Sequence, residues 1–253
     1  MGRNIKTNFS YPRGNFPRLC LIGNSNVGKS SLTKLLLSHP KWYKGKVGKT
    51  AGSTVRLTII NDPKLNYHVI DLPGFGRMIK LSRSSEEFIQ NQILKYLRLD
   101  RNNIFLTLLV IAVDRLQDEL EKWYFKNENT IPLSIEFIQY FVKNEIPCLI
   151  ILNKIDKLNK FQREDIKKTF FNVLSDFNIE IDNSKSKQSV LDVIECSTKT
   201  LQGIKEIKQN IKEISSHLQL ENYDPRSELL NLPPINAKKK GKKGNQTTKS
   251  KNN

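Results

Sequence analysis

The chain is poor in the residues that build metal clusters and disulfide frameworks. Among 253 residues there are three cysteines, Cys20, Cys148 and Cys196, and three histidines, His39, His68 and His217. An odd number of widely spaced cysteines excludes a paired disulfide scaffold and a zinc site of the usual spacing. Cys20 and Cys148 sit in apolar runs, where a thiol is most often a small buried hydrophobe; the expectation is a reducing compartment, the cytoplasm. Long hydrophobic runs are also missing. The longest spans residues 104–113, is interrupted by Thr107, and falls well short of the roughly 18 apolar residues that a membrane-spanning helix needs. Acids are scarce as well: 25 Asp and Glu stand against 42 Lys and Arg, for a net charge of +17. Seven lysines lie in the acid-free stretch 238–253, and without them the remainder still carries +10. A body this basic points to a polyanionic partner, nucleic acid before membrane. The first 18 residues also lack acids and carry Arg3, Lys6, Arg13 and Arg18, a composition shared with import leaders, but Pro12, Gly14 and Pro17 break the helix that such leaders form.

Short apolar runs alternate with helical patterns. Strands are expected at 18–22, 55–60, 67–72, 105–113, 148–152 and 190–195. Helices are expected from the residues around Leu32–Leu37, from a capping box at Ser84–Glu87 onward, and at about 134–144, 163–177 and 201–218. This β–α alternation implies a mainly parallel six-stranded sheet with helices on both faces, and the short link between Ile60 and Tyr67 implies one antiparallel edge strand. After about residue 221, periodicity gives way to Pro225, Pro233, Pro234 and the lysine run, the composition of a disordered tail. The expected organisation is an extension at 1–17, a single domain at 18–220 and a basic tail at 221–253.

Gly23-Asn-Ser-Asn-Val-Gly-Lys-Ser30 fits G-x-x-x-x-G-K-[ST] between a strand and a helix. Glycines at these places let consecutive N–H groups face a phosphate at a helix N-terminus. Lys29 then supplies charge to the β- and γ-phosphates, and the Ser30 hydroxyl is a Mg²⁺ ligand. Asp71-Leu-Pro-Gly74 follows the third strand: Asp71 can hold Mg²⁺ through water, and the Gly74 N–H can meet the γ-phosphate and turn away when it leaves. Asn153-Lys-Ile-Asp156 follows the fifth strand. Asp156 can accept from guanine N1–H and its 2-amino group, Asn153 can meet the O6/N7 edge, and the Lys154 stem can lie along the base. Adenine lacks that donor pair, so a buried carboxylate discriminates against it by up to roughly 10⁴. Cys196-Ser-Thr198 is expected at the base edge, centred on Ser197 and Thr198. In the polar loop 49–54, Thr54 is the candidate to cap Mg²⁺, with Thr50 second.

Taken together, these strings resemble the EngB (YihA/YsxC) family of TRAFAC-class GTPases. The matching residues are Gly23–Ser31, Lys49-Thr-Ala-Gly-Ser-Thr54, Asp71-Leu-Pro-Gly-Phe-Gly76 and Asn153–Asp156, within a similarity that covers about residues 15–215. The resemblance implies a Ras-like P-loop fold and slow, Mg²⁺-dependent hydrolysis of GTP to GDP and phosphate. It implies a monomer acting in assembly of the large ribosomal subunit through a precursor particle or rRNA, with a link to cell division and septation. Residue by residue, it places GTP against Gly23, Asn24, Ser25, Asn26, Val27, Gly28, Lys29 and Ser30. It adds Gly52, Ser53, Thr54, Val55 and Arg56, then Asp71, Leu72, Pro73 and Gly74, then Asn153, Lys154, Ile155 and Asp156, and finally Cys196, Ser197 and Thr198. Catalytic roles fall to Asn26, Lys29, Thr54 and Gly74, and the metal falls to Ser30, Thr54 and Asp71. Two places depart from the family pattern: Asn153 stands where Thr is usual, and Cys196-Ser-Thr replaces a Ser-rich string. Ras-type GTPases carry a water-orienting Gln where this chain has Phe75, so intrinsic hydrolysis is expected to be slow. In related GTPases an Asn at the position of Asn26 helps bind K⁺; asparagine also simply tolerates the turn.

Three readings are compatible with these motifs: a GTPase switch, a non-catalytic GTP-dependent scaffold for RNA or division proteins, and a P-loop kinase. The N-K-x-D string argues against the last. The three histidines match no general-base geometry. Arg77, Lys80 and Arg83, just after the second switch, are candidates with the tail for phosphate contacts on RNA.

Overall fold

The computed structural model describes residues 12, 14–44, 57–76, 83–125, 131–179, 181 and 190–218, without the side chains of 83, 123, 190 and 191. Contacts divide the chain into two units, Met1–Gln219 and Leu220–Asn253, and every described residue lies in the first. The expectations placed on 49–56, on Arg77 and Lys80, and on the tail lie outside the described residues.

Six strands form one sheet in the order β2-β3-β1-β4-β5-β6. They are β1 (Arg18–Gly23), β2 (Thr58–Ile60), β3 (His68–Asp71), β4 (Ile104–Ala112), β5 (Cys148–Asn153) and β6 (Val190–Glu195). All neighbours pair in parallel except β2, which runs antiparallel to β3 with Thr58 opposite Asp71. The helices are α1 (Lys29–Leu36), α2 (Arg83–Leu99), α3 (Val113–Leu120), α4 (Leu133–Lys143), α5 (Lys160–Asp176) and α6 (Ile204–Ser216).

All nine residues of β4 are buried, which is why its sequence reads as an unbroken apolar run. Successive side chains go to opposite faces. Leu109, Ile111, Ile150 and Leu152 join a core with residues of α2 to α5, whereas Leu108, Val110, Leu149 and Ile151 join a second core with α1 and α6. Each such aliphatic side chain contributes about 1.5–3 kcal/mol on burial. The helices therefore clamp the sheet from both sides and hold the carboxyl ends of β1, β3, β4 and β5 along one edge.

Four features differ from the sequence reading; one is that α6 starts at Ile204, three residues after the expected Leu201, preceded by the left-handed Gly203 at φ 74°. Helix α3 continues β4 without a loop, with Val113, Leu116 and Leu120 buried along one face; an apolar run ending at Val113 gave no visible break. Helix α2 begins at Arg83, so Ser84 lies within its first turn rather than capping it. Its buried face is Ile89, Ile93, Tyr96 and Leu97, while Phe88, one position round the helix from Ile89, is 45% exposed. Finally, α5 starts at Lys160, three residues before the expected Arg163. Asn159 Oδ1 accepts from Gln162 N–H at 2.9 Å, and Gln162 Oε1 accepts from Asn159 N–H at 3.0 Å, a complete capping box.

Candidate nucleotide-binding site

The edge built from those strand ends, together with the end of β6, carries every described residue of the motifs. Gly23 ends β1, and the chain turns through Asn26 (φ 64°) and Gly28 (φ 94°) into α1. The turn is tightly enclosed. A Cβ on Gly28 would lie 2.2 Å from Asn153 Nδ2, and one on Gly23 would lie 2.3 Å from the Val110 carbonyl oxygen. Helix α1 opens at Gly28 with no side-chain cap and no acid in its first turn. Its leading N–H groups, with the positive end of the helix dipole, therefore suit an anion.

Three side chains converge on Asp71, the last residue of β3, which is fully buried. Lys29 Nζ lies 2.8 Å from Oδ1. Ser30 Oγ donates to Oδ2 at 3.2 Å, and the Tyr43 hydroxyl donates to the same oxygen at 2.7 Å. The Lys29 stem is buried, and the Thr33 hydroxyl donates back to the Lys29 carbonyl at 3.0 Å, fixing the start of α1. Burial, and then the Asp71 carboxylate, push the Tyr43 hydroxyl pKa upward, so it stays protonated and donates. Ser30 and Asp71 bring a hydroxyl and a carboxylate together, the hard oxygen donors that Mg²⁺ takes.

The segment after Asp71 lies against the P-loop. Leu72 N–H donates to the Leu21 carbonyl at 3.0 Å, and Phe75 N–H donates to the Gly23 carbonyl at 3.3 Å. A Cβ on Gly74 would be 2.9 Å from Ser25 Oγ, and one on Gly76 would overlap the Asn24 side chain. Both glycines let the segment approach the P-loop closely, and a Cβ at either would have to shift the Ser25 or Asn24 side chain. Phe75 points into the core, 2% exposed and stacked on Phe137 at 4.4 Å between ring centres. Gln90 Nε2 donates to its carbonyl at 2.8 Å.

At the far side, Asn153 ends β5 and is fully buried. Its Nδ2 donates to the Val27 carbonyl at 2.7 Å, and its Oδ1 accepts from Thr198 N–H at 3.1 Å and from the Cys196 thiol at 3.5 Å. The residue expected at the O6/N7 edge thus ties three loops together. Lys154 adopts φ 69°, and its Nζ lies 3.6 Å from Asp114 Oδ1. Lys157 pairs with the other oxygen of Asp114. Burial acts to raise the Asp114 pKa, but Lys157 and Lys154 outweigh it and hold the carboxyl ionised below its ordinary range. Burial pulls the Lys154 pKa down, against the attraction of Asp114. Ile155 is buried in the turn that follows.

Asp156 Oδ1 accepts from Ser197 Oγ at 2.6 Å. Ser197 Oγ in turn accepts from the N–H groups of Lys199 (3.2 Å) and Thr200 (3.1 Å), and Ser197 N–H donates to the Gln202 carbonyl at 3.0 Å. The donors of Ser197 are committed inside the protein, as is the N–H of Thr198. Through the Ser197 hydroxyl the loop also orients Asp156.

Tyr43 and Asp114 are the site residues that motif reading passed over. Asp114 follows the carboxyl end of a central strand, where ligands of α/β sheets gather, and that placement was a usable signal. Tyr43 has no local signature. The histidines lie elsewhere: His68 is at the opposite end of the sheet beside Arg18, His39 caps the turn at Pro40–Trp42, and His217 ends α6. No helix among the described residues is long and apolar enough to cross a membrane.

A family model described as a 50S ribosome-binding GTPase matches residues 18–154. The probable GTP-binding protein EngB of Pyrococcus abyssi is 29% identical over 182 residues, which are 67% of this chain and 82% of that protein. The probable GTP-binding protein EngB of Flavobacterium johnsoniae is 32% identical over 151 residues, 59% of this chain and 62% of its own. The crystal structure of a probable GTP-binding protein engB superposes with a TM-score of 0.63 at 24% identity, covering 79% of this chain and 100% of that one, a likeness of fold. A phosphate loop, a D-x-x-G segment lying on it and an N-K-x-D turn bonded to it, on a sheet of this order, agree with these matches, and the chain belongs to the 50S ribosome-binding GTPases as a member of their EngB group.

Proposed function

We propose that this GTPase is a slow, magnesium-dependent switch acting on a precursor of the large ribosomal subunit, with the link to division and septation that its EngB resemblance implies. The observation that carries the slow rate is Phe75. Its ring is stacked on Phe137 in the core, and a phenyl group has no donor or acceptor with which to orient a water. Acceleration then falls to a partner.

Within the site, Lys29 leaves or shares Asp71 to meet the β- and γ-phosphates, and the α1 N-terminus receives the phosphate oxygens. Ser30 and Asp71 would hold magnesium, joined by Thr54 from the loop 49–54. The metal would supply positive charge against the phosphate oxygens of the transition state. Asp156, held by Ser197, reads guanine N1–H and the 2-amino group, and Lys154, held by Asp114, lays its stem on the base. Gly74, packed on Ser25, offers its N–H to the γ-phosphate. The Asn26 carboxamide is our candidate potassium ligand. Equal GTP turnover in potassium and sodium buffers would remove it, leaving the left-handed backbone at φ 64° as the whole reason for asparagine there.

The choice of a ribosomal partner rests on the description of the matching family and on the +17 charge. Residues 18–220 form the G domain in this reading, and 221–253 a basic tail that adds phosphate contacts. Sedimentation of the full chain with ribosomal particles at near-physiological salt tests it. Migration with large-subunit particles is expected with a non-hydrolysable GTP analogue and not with GDP. Equal or absent migration in both states would take the ribosome out of the mechanism.

A further inference from the structure

Tyr43 is built into the site more firmly than a bystander needs to be. It closes the short turn Pro40–Trp42, its N–H donating to the Pro40 carbonyl at 3.1 Å. That turn is fastened at its other end: Ser38 gives its N–H and hydroxyl to the buried carboxylate of Asp62, at 2.6 and 2.7 Å. The ring is 6% exposed and belongs to the core under α1 with Leu36 and Leu37, while the Lys34 ammonium lies 5.6 Å from its centre. From this fixed position the hydroxyl reaches Asp71 Oδ2 at 2.7 Å, the oxygen that Ser30 also engages. The other oxygen is taken by Lys29.

The face of Asp71 that looks toward Ser30 is therefore filled by a hydroxyl of the protein. A cation or its water held between Ser30 and Asp71 must use that same face, because Mg²⁺ requires near-octahedral oxygen ligands at close range. The Tyr43 phenol gives its proton to Oδ2, where Ser30 also donates, so a metal-bound water that seeks this oxygen has to compete with it.

We propose that Tyr43 is a built-in competitor for the metal: its hydroxyl and magnesium are alternative partners of Asp71, so loading with metal and nucleotide displaces Tyr43 and transmits the event to the segment 38–43. The inference rests on the reading that Ser30 and Asp71 hold magnesium. It gives the protein a device by which metal arrival is sensed at the first turn after α1, and it lowers metal affinity by the strength of one buried charge-assisted hydrogen bond.

Release of a fluorescent GDP from the full chain, followed across free magnesium concentrations, tests this in Tyr43→Phe. The magnesium concentration that half-maximally slows release should fall about tenfold in the variant, the equivalent of one such bond. Release in EDTA should stay unchanged. Lys34→Met, which keeps the hydroxyl but takes the cation off the ring, should shift the requirement in the same direction by about twofold. It serves as the second variant should Tyr43→Phe lower the melting temperature. Trp42 gives a readout independent of release: in a Trp123→Phe background its emission should change when magnesium is added to the GDP complex, and change less in Tyr43→Phe. An unchanged or higher magnesium requirement in Tyr43→Phe would overturn the competition, and so would an equal change in EDTA. Wild-type release that ignores magnesium altogether would instead remove the reading of Ser30 and Asp71 on which the inference stands.

Discussion

Asn153 donates from its Nδ2 to the carbonyl of Val27 across 2.7 Å, joining residues 126 positions apart in sequence. That bond connects the N-K-x-D turn to the P-loop. Gly28 makes it possible, because any side chain there would collide with the Asn153 amide. The order of the site is thus set from inside, by a buried amide, and Asp156, to which we assign base recognition, projects from a frame already fixed.

Breaking that frame should weaken nucleotide binding more than it weakens the fold. Asn153→Ala leaves the Val27 carbonyl and the Thr198 N–H without their partner, a cost of about 2–4 kcal/mol, or roughly 30- to 1000-fold in affinity if it falls wholly on the bound state. Gly28→Ala adds left-handed strain to the collision and should abolish binding. Titration with fluorescent GDP, beside a melting curve for each variant, measures both; a loss confined to the melting temperature would contradict the bridging role.

Asp156→Asn should exchange one nucleotide for another. An amide in place of the carboxylate loses the acceptor pair for guanine N1–H and the 2-amino group, and offers a donor to the 2-carbonyl of xanthine. GTP affinity is expected to fall by about 10² or more while XTP gains, on the arithmetic of unpaired polar groups. Competition binding of the two nucleotides checks this, and retained GTP preference would place base recognition elsewhere.

Phe75→Gln is expected to destabilise without creating a faster enzyme. The side chain at this position faces Phe137 rather than the phosphates, so a glutamine would bury an unsatisfied amide and lose the stacked ring. A cost of about 3 kcal/mol follows from the cavity and desolvation together. Urea unfolding and single-turnover GTP hydrolysis report the two halves of the expectation, and a rate increase in the variant would contradict the buried orientation.

Acid should weaken the fold at the end of the sheet remote from the site. Burial first, and then the Arg18 guanidinium, lower the His68 pKa from 6.5 to about 3, so the ring is neutral in the folded chain. The unfolded chain binds the extra proton between those values, and stability falls with pH through that window and levels off below it. From pH 6.5 to about 4.5 the loss attributable to this residue is on the order of 2 kcal/mol. Urea unfolding at the two pH values should show that slope in the native chain and a shallower one in His68→Gln.

Much of the fold and the site is legible in the sequence alone, for local reasons. The P-loop, D-x-x-G and N-K-x-D strings each require particular residues at fixed spacing because backbone N–H groups, a strand-end carboxylate and a base-reading turn have fixed geometry. The antiparallel edge strand follows from the short link between Ile60 and Tyr67. Helix α3 is hidden because β4 passes into it without a polar break, although Val113, Leu116 and Leu120 carry a helical spacing. The inward turn of Asn153 and the bond from Tyr43 to Asp71 depend on which loops meet at the sheet edge, which no local pattern encodes. The type of residue at Phe75 is visible in the sequence, and its direction is not.

The GTPase we propose is slow alone and driven by its partner. It is tested most directly by measuring GTP turnover by the full chain with and without purified large-subunit particles, at fixed magnesium and salt. Slow turnover by the chain alone and a clear rise when the particles are added is the expected result. Fast turnover without them would contradict the role given to Phe75, and negligible turnover even in their presence would contradict the switch and favour a scaffold that binds GTP without using its hydrolysis.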